Sequence, residues 1–287
     1  MRKKLLAHAL ASFGLMAAWG AAQASTSTPV TIKLEPYLGS ALALRAEVHG
    51  HQGLFLFDTG GGVTIISPDF AKAVGCTPWG RISGFRMTGE RLDFQRCDNL
   101  TFDVAGVSMK APEAGVFDIM NLVPKDAPRL DGSLGLDLFA GRAITFDASG
   151  RTLTIESAES LKARMRHARE VPIRLVRDAE GVALTVDVGV PTPKGMAWME
   201  LDSGNAGGAY IVAKYLAPMF RLDPGKSSPQ PVRFEVAGGI PVEGKALALD
   251  LIKDGNLGAP FFKQWVLTVD LASGRAWLSH GAQGSAP

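Results

Sequence analysis

The stretch GLFLFDTGGGVTIIS, from Gly53 to Ser67, places an acidic residue at the end of an apolar run that is typical of a β-strand. Asp58 is followed by Thr59, by three glycines and then by β-branched residues, which predict a second strand. One interpretation is a solvent-facing hairpin turn, because Asp, Thr and Gly are ordinary turn residues. Apolar residues on both sides of the turn favour another interpretation, in which the carboxylate lies at the end of a buried strand.

The same pattern occurs a second time, as AWMELDSGNAGGAYIV from Ala197 to Val212, with Asp202 in the position of Asp58. Two further pairs of similar segments occur in the same order, at residues 30–48 and 171–188 and at residues 131–155 and 254–278. Copies of this length are too long for the units of a solenoid. Because the repeated segments alternate in hydrophobicity, they predict an all-β protein built from two homologous lobes.

The repeat predicts an N-terminal lobe over residues 25–156 and a C-terminal lobe over residues 171–287. The charged segment 157–170 between them is interpreted as a linker, which could also form a solvated helix. Residues 1–24 have the basic start, apolar middle and small final residues of a signal peptide, with cleavage expected after Ala24. An uncleaved membrane anchor is the alternative. We therefore expect a periplasmic or secreted protein.

The charge balance does not indicate a nucleic-acid partner. The chain has 30 Lys and Arg against 28 Asp and Glu, a formal net charge of +2, and signal cleavage would remove three basic residues. The remaining net charge of about −1 lacks the basic surface that nucleic acids require. No later run reaches the ~18 apolar residues of a membrane helix, so we expect no membrane partner after cleavage.

The chain has two cysteines, Cys76 and Cys97. In an exported protein this pair predicts a disulfide, which would stabilise the fold by roughly 3 kcal/mol in the chain-entropy model. Two buried free thiols are the alternative. No histidine lies near them to complete a zinc site, and the sequence contains no H-E-x-x-H or G-x-S-x-G motif. We expect no metal and no cofactor.

Two lobes related by a pseudo-twofold axis would bring Asp58 and Asp202 face to face. Two carboxyl groups a few ångströms apart cannot both ionise cheaply, so they would share one proton. One carboxylate could then act as a base on water while the other donates a proton to a carbonyl oxygen. The hydroxyls of Thr59 and Ser203 could tie the two loops together.

These residues resemble the pepsin/retropepsin superfamily of aspartic proteases, and in particular exported bacterial retropepsin-like proteins with two fused lobes. The family motif, an apolar residue before D-[ST]-G, is represented by FLFDTG and MELDSG, and a second, glycine-ending motif by GSLGLDLF and GNLGAPFF. The resemblance implies two retropepsin-like β-barrel lobes with short helices, an interlobe cleft that binds a peptide or protein substrate, and a monomer. It also assigns residues to roles: Asp58 and Asp202 as the catalytic dyad, Thr59, Gly60, Gly61, Ser203, Gly204 and Asn205 as supporting loops, and Gly135 and Gly258 as glycines of a psi-shaped crossing beneath those loops.

The family covers its cleft with a β-hairpin flap. The segment ISGFRMTGERLDF, from Ile82 to Phe94, is the candidate in the first lobe, with Phe85 or Met87 near the tip to contact substrate. An ordinary surface hairpin is the alternative. The segment lies between the two cysteines, so a disulfide would anchor its base.

The chain departs from the family pattern at four positions. Gly61 and Asn205 stand where a Ser, Thr or Ala often follows D-[ST]-G, and Ser133 and Asn256 replace the bulky apolar residue before Leu-Gly. The predicted function is an exported aspartic endopeptidase that uses a water molecule activated by the dyad. The alternative, which these departures leave open, is a catalytically weak or inactive pepsin-like module that binds or inhibits peptides.

Overall fold

The computed structural model describes residues 27–281, and this part of the chain is mostly β. The predicted signal segment therefore lies outside the described residues. The strands before residue 157 are β1 (Val30–Lys33), β2 (Glu35–Tyr37), β3 (Ala41–Val48), β4 (His51–Phe57), β5 (Ile65–Ile66), β6 (Trp79–Phe85), β7 (Arg91–Val104), β8 (Val107–Val116), β9 (Gly132–Leu134), β10 (Ala143–Asp147) and β11 (Thr152–Ile155).

The strands of the second half are β12 (Arg169–Val171), β13 (Ile173–Val176), β14 (Thr185–Thr192), β15 (Gly195–Leu201), β16 (Tyr210–Ala213), β17 (Gln230–Val236), β18 (Ile240–Leu249), β19 (Gly255–Leu257), β20 (Trp265–Asp270) and β21 (Arg275–His280). The helices are α1 (Pro68–Ala73), α2 (Ala158–Met165) and α3 (Ala259–Phe262), with short 3₁₀ turns at Ile119–Leu122, Leu136–Phe139, Ala179–Gly181 and Ala217–Phe220.

Each half of the chain forms a sheet of its own. The first has the strand order β2-β3-β4-β9-β5-β8-β7-β6, and an extra pairing of β3 with β7 curls it toward a barrel. The second has the order β13-β14-β15-β19-β16-β18-β17. In both sheets a short strand, β9 or β19, runs parallel to the strand that leads to the aspartate and antiparallel to the strand that follows it. The predicted psi-shaped crossing is therefore present in both lobes.

A third sheet joins the two halves. Its order is β1-β11-β10-β20-β21-β12, and the antiparallel pairing of β10 with β20 joins the halves across its centre. Below the aspartates, the two halves are also in contact through a row of three aromatic rings, whose successive centroids lie 5.1 Å apart. These rings belong to Phe57, Phe146 and Phe262. Because one core passes through both halves, the lobes hold their aspartate loops at a defined separation.

The segment between the cysteines is anchored at both ends. Ser67 caps α1 by accepting a hydrogen bond from the backbone of Phe70, and Pro68 occupies the first helical turn. The chain then reaches Cys76, which forms a disulfide with Cys97 in β7. The predicted disulfide is thus present, and it ties the end of α1 to the hairpin of β6 and β7.

The segment interpreted as a linker, residues 157–170, contains α2 and the start of β12. Ser157 and Ser160 form a capping box at the start of α2, and no residue of the helix is buried. Within residues 27–281 no helix combines the length and the apolar character needed to cross a membrane.

Candidate active site

Asp58 and Asp202 occupy the same place in the two lobes. β4 ends at Phe57, and the backbone N–H of Asp58 donates to the carbonyl of Leu134 in β9 at 3.1 Å. In the second lobe the N–H of Asp202 donates to the carbonyl of Leu257 in β19 at 3.3 Å. Each aspartate is therefore held at the end of an apolar strand by the short strand beside it.

The turns after the aspartates orient their carboxyl groups. Oδ1 of Asp58 accepts hydrogen bonds from the backbone of Gly60 at 3.0 Å and of Gly61 at 2.8 Å. Oδ1 of Asp202 accepts from Gly204 at 2.8 Å and from Asn205 at 3.0 Å. Backbone donors aimed at one oxygen of each carboxyl group fix the orientation of the side chain.

The glycines after the motif residues allow the two loops to meet. A Cβ atom at Gly60 would lie 2.6 Å from Oδ1 of Asp202, and one at Gly204 would lie 2.5 Å from Oδ1 of Asp58. Each carboxyl group thus packs against the backbone of the opposite lobe, where only glycine leaves room for it. The two aspartates lie side by side across the junction of the lobes.

Two hydroxyl groups lock this junction. Thr59 Oγ1 donates to the carbonyl of Leu201 at 2.6 Å and accepts from the backbone of Ser203 at 2.9 Å. Ser203 Oγ donates to the carbonyl of Phe57 at 2.9 Å and accepts from the backbone of Thr59 at 3.0 Å. The four bonds are buried and reciprocal, as the predicted tie between the loops requires.

The electrostatics favour a shared proton. Burial, and then the negative charge of Asp202, raise the pKa of Asp58 from its ordinary value to about 7, although the N–H groups of Gly61 and Gly60 oppose the shift. A carboxyl group that keeps its proton to near neutral pH beside a second carboxylate can act as an acid while its neighbour acts as a base.

The psi-crossing glycines lie directly under the aspartate loops. A Cβ atom at Gly135 would lie 2.9 Å from the carbonyl carbon of Gly62, and one at Gly258 would lie 2.5 Å from the carbonyl oxygen of Asn205. Side chains at these two positions would push the loops away, so both glycines support the site by close packing.

The candidate flap is a hairpin that reaches the second lobe. β6 and β7 pair from Ile82–Phe94 to Phe85–Arg91, and the turn between them contains Met87. The carbonyl of Met87 accepts a hydrogen bond from the backbone of Ile252 at 3.0 Å. The hairpin therefore spans the junction of the lobes, with 62% of Phe85 exposed beside its tip. Sequence reasoning did not anticipate the Ile252 contact.

Sequence reasoning also missed a group of polar residues around the dyad. Glu200 is buried two residues before Asp202 and accepts a hydrogen bond from the ammonium of Lys253. Asp137 lies under the first aspartate loop and accepts from both the backbone and the hydroxyl of Thr64. A comparison of the repeats could have found Glu200, because an apolar residue, Leu56, occupies the equivalent place in the first lobe.

Within the described residues, no group of three or more His, Cys, Asp or Glu side chains is arranged to bind a metal ion.

Two comparisons with known proteins concern the family and the fold. Residues 44–138, which include Asp58 and the candidate flap, match the aspartyl protease family, so the resemblance drawn from the motifs is confirmed for this family. The chain is also similar in structure to basic 7S globulin from soybean, with a TM-score of 0.57 and 10% sequence identity over 88% of this chain and 95% of that one. At this identity the likeness shows the fold alone, which is the two-lobed pepsin-like fold. No curated protein matches the chain.

Proposed function

We propose that this protein is an aspartic endopeptidase, which hydrolyses peptide bonds with a water molecule activated by Asp58 and Asp202. One observation supports this most strongly. The two carboxyl groups come from equivalent loops of the two lobes, receive matching backbone hydrogen bonds and pack against each other's glycines. Two carboxyl groups held this close cannot both ionise cheaply, so the pair shares one proton.

The reaction follows from this pair. The ionised carboxylate takes a proton from water as the water oxygen bonds to the carbonyl carbon, and the protonated carboxyl group donates its proton to the carbonyl oxygen. The resulting tetrahedral intermediate breaks its C–N bond when the leaving nitrogen receives a proton from one carboxyl group of the dyad. A hydroxyl of the intermediate returns its proton to the other carboxylate, which restores the carbonyl and the singly protonated pair. No covalent bond forms between the protein and the substrate.

The surroundings of the dyad suit an extended peptide. The flap hairpin lies across the junction of the lobes, so a substrate segment would pass between the flap and the aspartates. A segment in this position can form strand-like main-chain hydrogen bonds, with side-chain pockets supplying specificity. Phe85 and Met87 are the flap residues proposed to contact it.

We also propose that the protein acts outside the cytoplasm, in the periplasm or after secretion, as a monomer. The Cys76–Cys97 disulfide supports this location, because disulfides persist in oxidising compartments. Both aspartates come from one chain, which supports a site that needs no second copy.

The test is proteolysis of an unfolded protein substrate by residues 25–287 from about pH 3 to pH 7, the range that a shared-proton pair spans. Asp58→Asn and Asp202→Asn should each abolish cleavage. Asp98→Asn is the matched control, because Asp98 is an exposed aspartate on β7. Cleavage that survives both dyad substitutions would refute the proposal. A folded chain that cleaves nothing at any pH would favour the peptide-binding module instead.

A further inference from the structure

We infer that Asn256 is a positioning residue that keeps the negative charge of the dyad on Asp202 and leaves the shared proton on Asp58. The inference rests on the proposed function for its catalytic meaning. The position of the proton can nevertheless be measured without any substrate.

The inference starts from an asymmetry between the two aspartates. Nδ2 of Asn256 donates a hydrogen bond to Oδ2 of Asp202 at 2.7 Å. Asp202 therefore has a side-chain donor on one oxygen and two backbone donors on the other. Among the hydrogen bonds within residues 27–281, none brings a side-chain amide or hydroxyl donor to Oδ2 of Asp58. The backbone donors match in the two lobes, so the two aspartates differ in the hydrogen bond that Asn256 donates to Asp202.

The residue equivalent to Asn256 in the first lobe does not play this part. Asn256 pairs with Glu200, two residues before Asp202, and Ser133 pairs with Leu56, two residues before Asp58. Ser133 is buried, but no hydrogen bond of the described residues joins it to Asp58. Both positions depart from the apolar residue of the family motif, and only Asn256 reaches its aspartate.

The orientation of the Asn256 amide is determined by its neighbours. Oδ1 of Asn256 accepts from Nδ2 of Asn205 at 2.7 Å, and Oδ1 of Asn205 accepts from the backbone of Gly207 at 3.2 Å. Because Oδ1 faces Asn205, the NH₂ group must face the carboxyl groups of Asp202 and Glu200. It lies 3.3 Å from Oε2 of Glu200. The reverse orientation would set the NH₂ group of Asn256 against that of Asn205 and would leave the ionised oxygen of Asp202, which can only accept, without this donor. Asn205 thus fixes the orientation of the Asn256 amide.

This arrangement distinguishes the two protonation states. A donor directed at a carboxyl oxygen favours the ionised form of that group. A proton on Oδ2 of Asp202 would compete with the Asn256 amide, whereas Oδ2 of Asp58 is free to hold a proton. The raised pKa of Asp58, which follows from burial and from the charge of Asp202, agrees with this assignment.

The other charged groups near Asp202 do not reverse the assignment. Burial, and then the charge of Asp202, raise the pKa of Glu200 to about 8, so Glu200 is neutral in acid and does not compete for the negative charge. Burial would lower the pKa of Lys253, but the acids Glu200, Asp187 and Asp178 raise it overall, so Lys253 stays cationic. Asp187 lies opposite Glu200 on β14, and burial raises its pKa to about 6. The remaining charged groups that act on Asp187 or Lys253 are Asp178, Asp254 and Arg174.

The assignment gives each aspartate a defined first step. Asp202 accepts the proton from the attacking water, and Asp58 donates its proton to the carbonyl oxygen of the substrate. Asn256 touches neither substrate nor water in this scheme and acts through Asp202. It would thereby take the place of the Ser or Thr that often follows D-[ST]-G in the family, where this chain has Asn205.

The first test locates the proton directly. Carboxyl ¹³C resonances of aspartate-labelled protein would be followed from pH 4 to pH 8, with Asp58→Asn and Asp202→Asn used to assign the two dyad signals. We expect the chemical shift of a protonated carboxyl on Asp58 and that of a carboxylate on Asp202 in the singly protonated pair. A proton on Asp202, or one shared equally, would overturn the inference whether or not the protein cleaves peptides.

The second test uses Asn256→Leu, with Ser133→Ala as the matched control in the first lobe. Loss of a hydrogen bond to a charged group should move the acidic limb of the kcat/KM profile up by about one to two pH units. The value of kcat should fall more than KM rises, and Ser133→Ala should leave the profile unchanged. An unshifted limb in a folded Asn256→Leu protein would also overturn the inference. If this variant does not fold, the ¹³C measurement on the wild-type chain decides. An inactive wild type whose proton lies on Asp58 would refute the proposed function but not the proton assignment.

Discussion

Removal of the Thr59 hydroxyl should destabilise the junction of the lobes far more than the loss of one surface hydrogen bond. Thr59 is 1% exposed, and its hydroxyl is the partner of both the Leu201 carbonyl and the Ser203 N–H. Thr59→Val keeps the shape of the side chain, so it removes these bonds without creating a cavity. The effect then comes almost entirely from two buried groups that lose their partner.

The magnitude follows from those two groups. A buried donor or acceptor left unpaired costs about 1–3 kcal/mol, so the free energy of unfolding should fall by about 2–6 kcal/mol in Thr59→Val. Ser203→Ala should cost a similar amount, because it leaves the Phe57 carbonyl and the Thr59 N–H unpaired. The double variant should lose less than the sum, since the first substitution already loosens the loops that the second would separate.

The assay is equilibrium unfolding in urea, followed by tryptophan fluorescence and circular dichroism on the same samples. Thr101→Val is the matched control, because Thr101 is a half-buried strand threonine of β7 whose side chain forms no hydrogen bond within the described residues. The reasoning would be refuted if Thr59→Val lost less than about 1 kcal/mol, or no more than Thr101→Val.

Three further predictions concern the flap, the disulfide and pH. Replacement of Cys76 and Cys97 by serine should lower the free energy of unfolding by roughly 3 kcal/mol in urea, and an unchanged midpoint would contradict a structural role. Phe85→Ala should raise KM several-fold in peptide cleavage with little change in unfolding free energy, because most of the ring is exposed; an unchanged KM would exclude Phe85 from the substrate site. Burial raises the pKa of Asp137 from 3.8 to about 7, so its proton stabilises the fold in acid and that contribution is lost as the pH rises through this interval. Asp137→Asn should therefore flatten the decline of unfolding free energy with pH by up to about 1.4 kcal/mol per unit, and an equally steep decline would disprove the assignment.

Several features of the fold were predictable because they depend on local patterns. The apolar alternation before Asp58 and Asp202 predicts strands, and the Gly-rich turns after them predict tight loops. The internal repeat added the long-range information, since two similar lobes must meet about an axis that relates equivalent loops. The pairing of the aspartates and the tie between Thr59 and Ser203 follow from that symmetry.

The features that break the symmetry were not predictable in the same way. The two lobes have Leu56 and Glu200 at the same place, so only the second has a buried acid beside its aspartate. The flap contact between Met87 and Ile252 joins parts of the chain that share no sequence pattern. The third sheet, which takes strands from both halves, was also absent from the sequence-based division into separate lobes.

The sequence by itself determined the two-lobed β architecture, the pairing of Asp58 with Asp202 and the glycines beside them, because the hydrophobic period, the turn residues and the repeat can all be read from the order of residues. Only the tertiary structure decided which aspartate receives an extra donor. Asn256 was visible in the sequence as a departure from the family motif, but its consequence depends on where a side chain 54 positions from Asp202 comes to lie. Hydrogen bonds form over about 3 Å, so register and loop geometry, rather than residue type alone, determine how the two carboxyl groups differ.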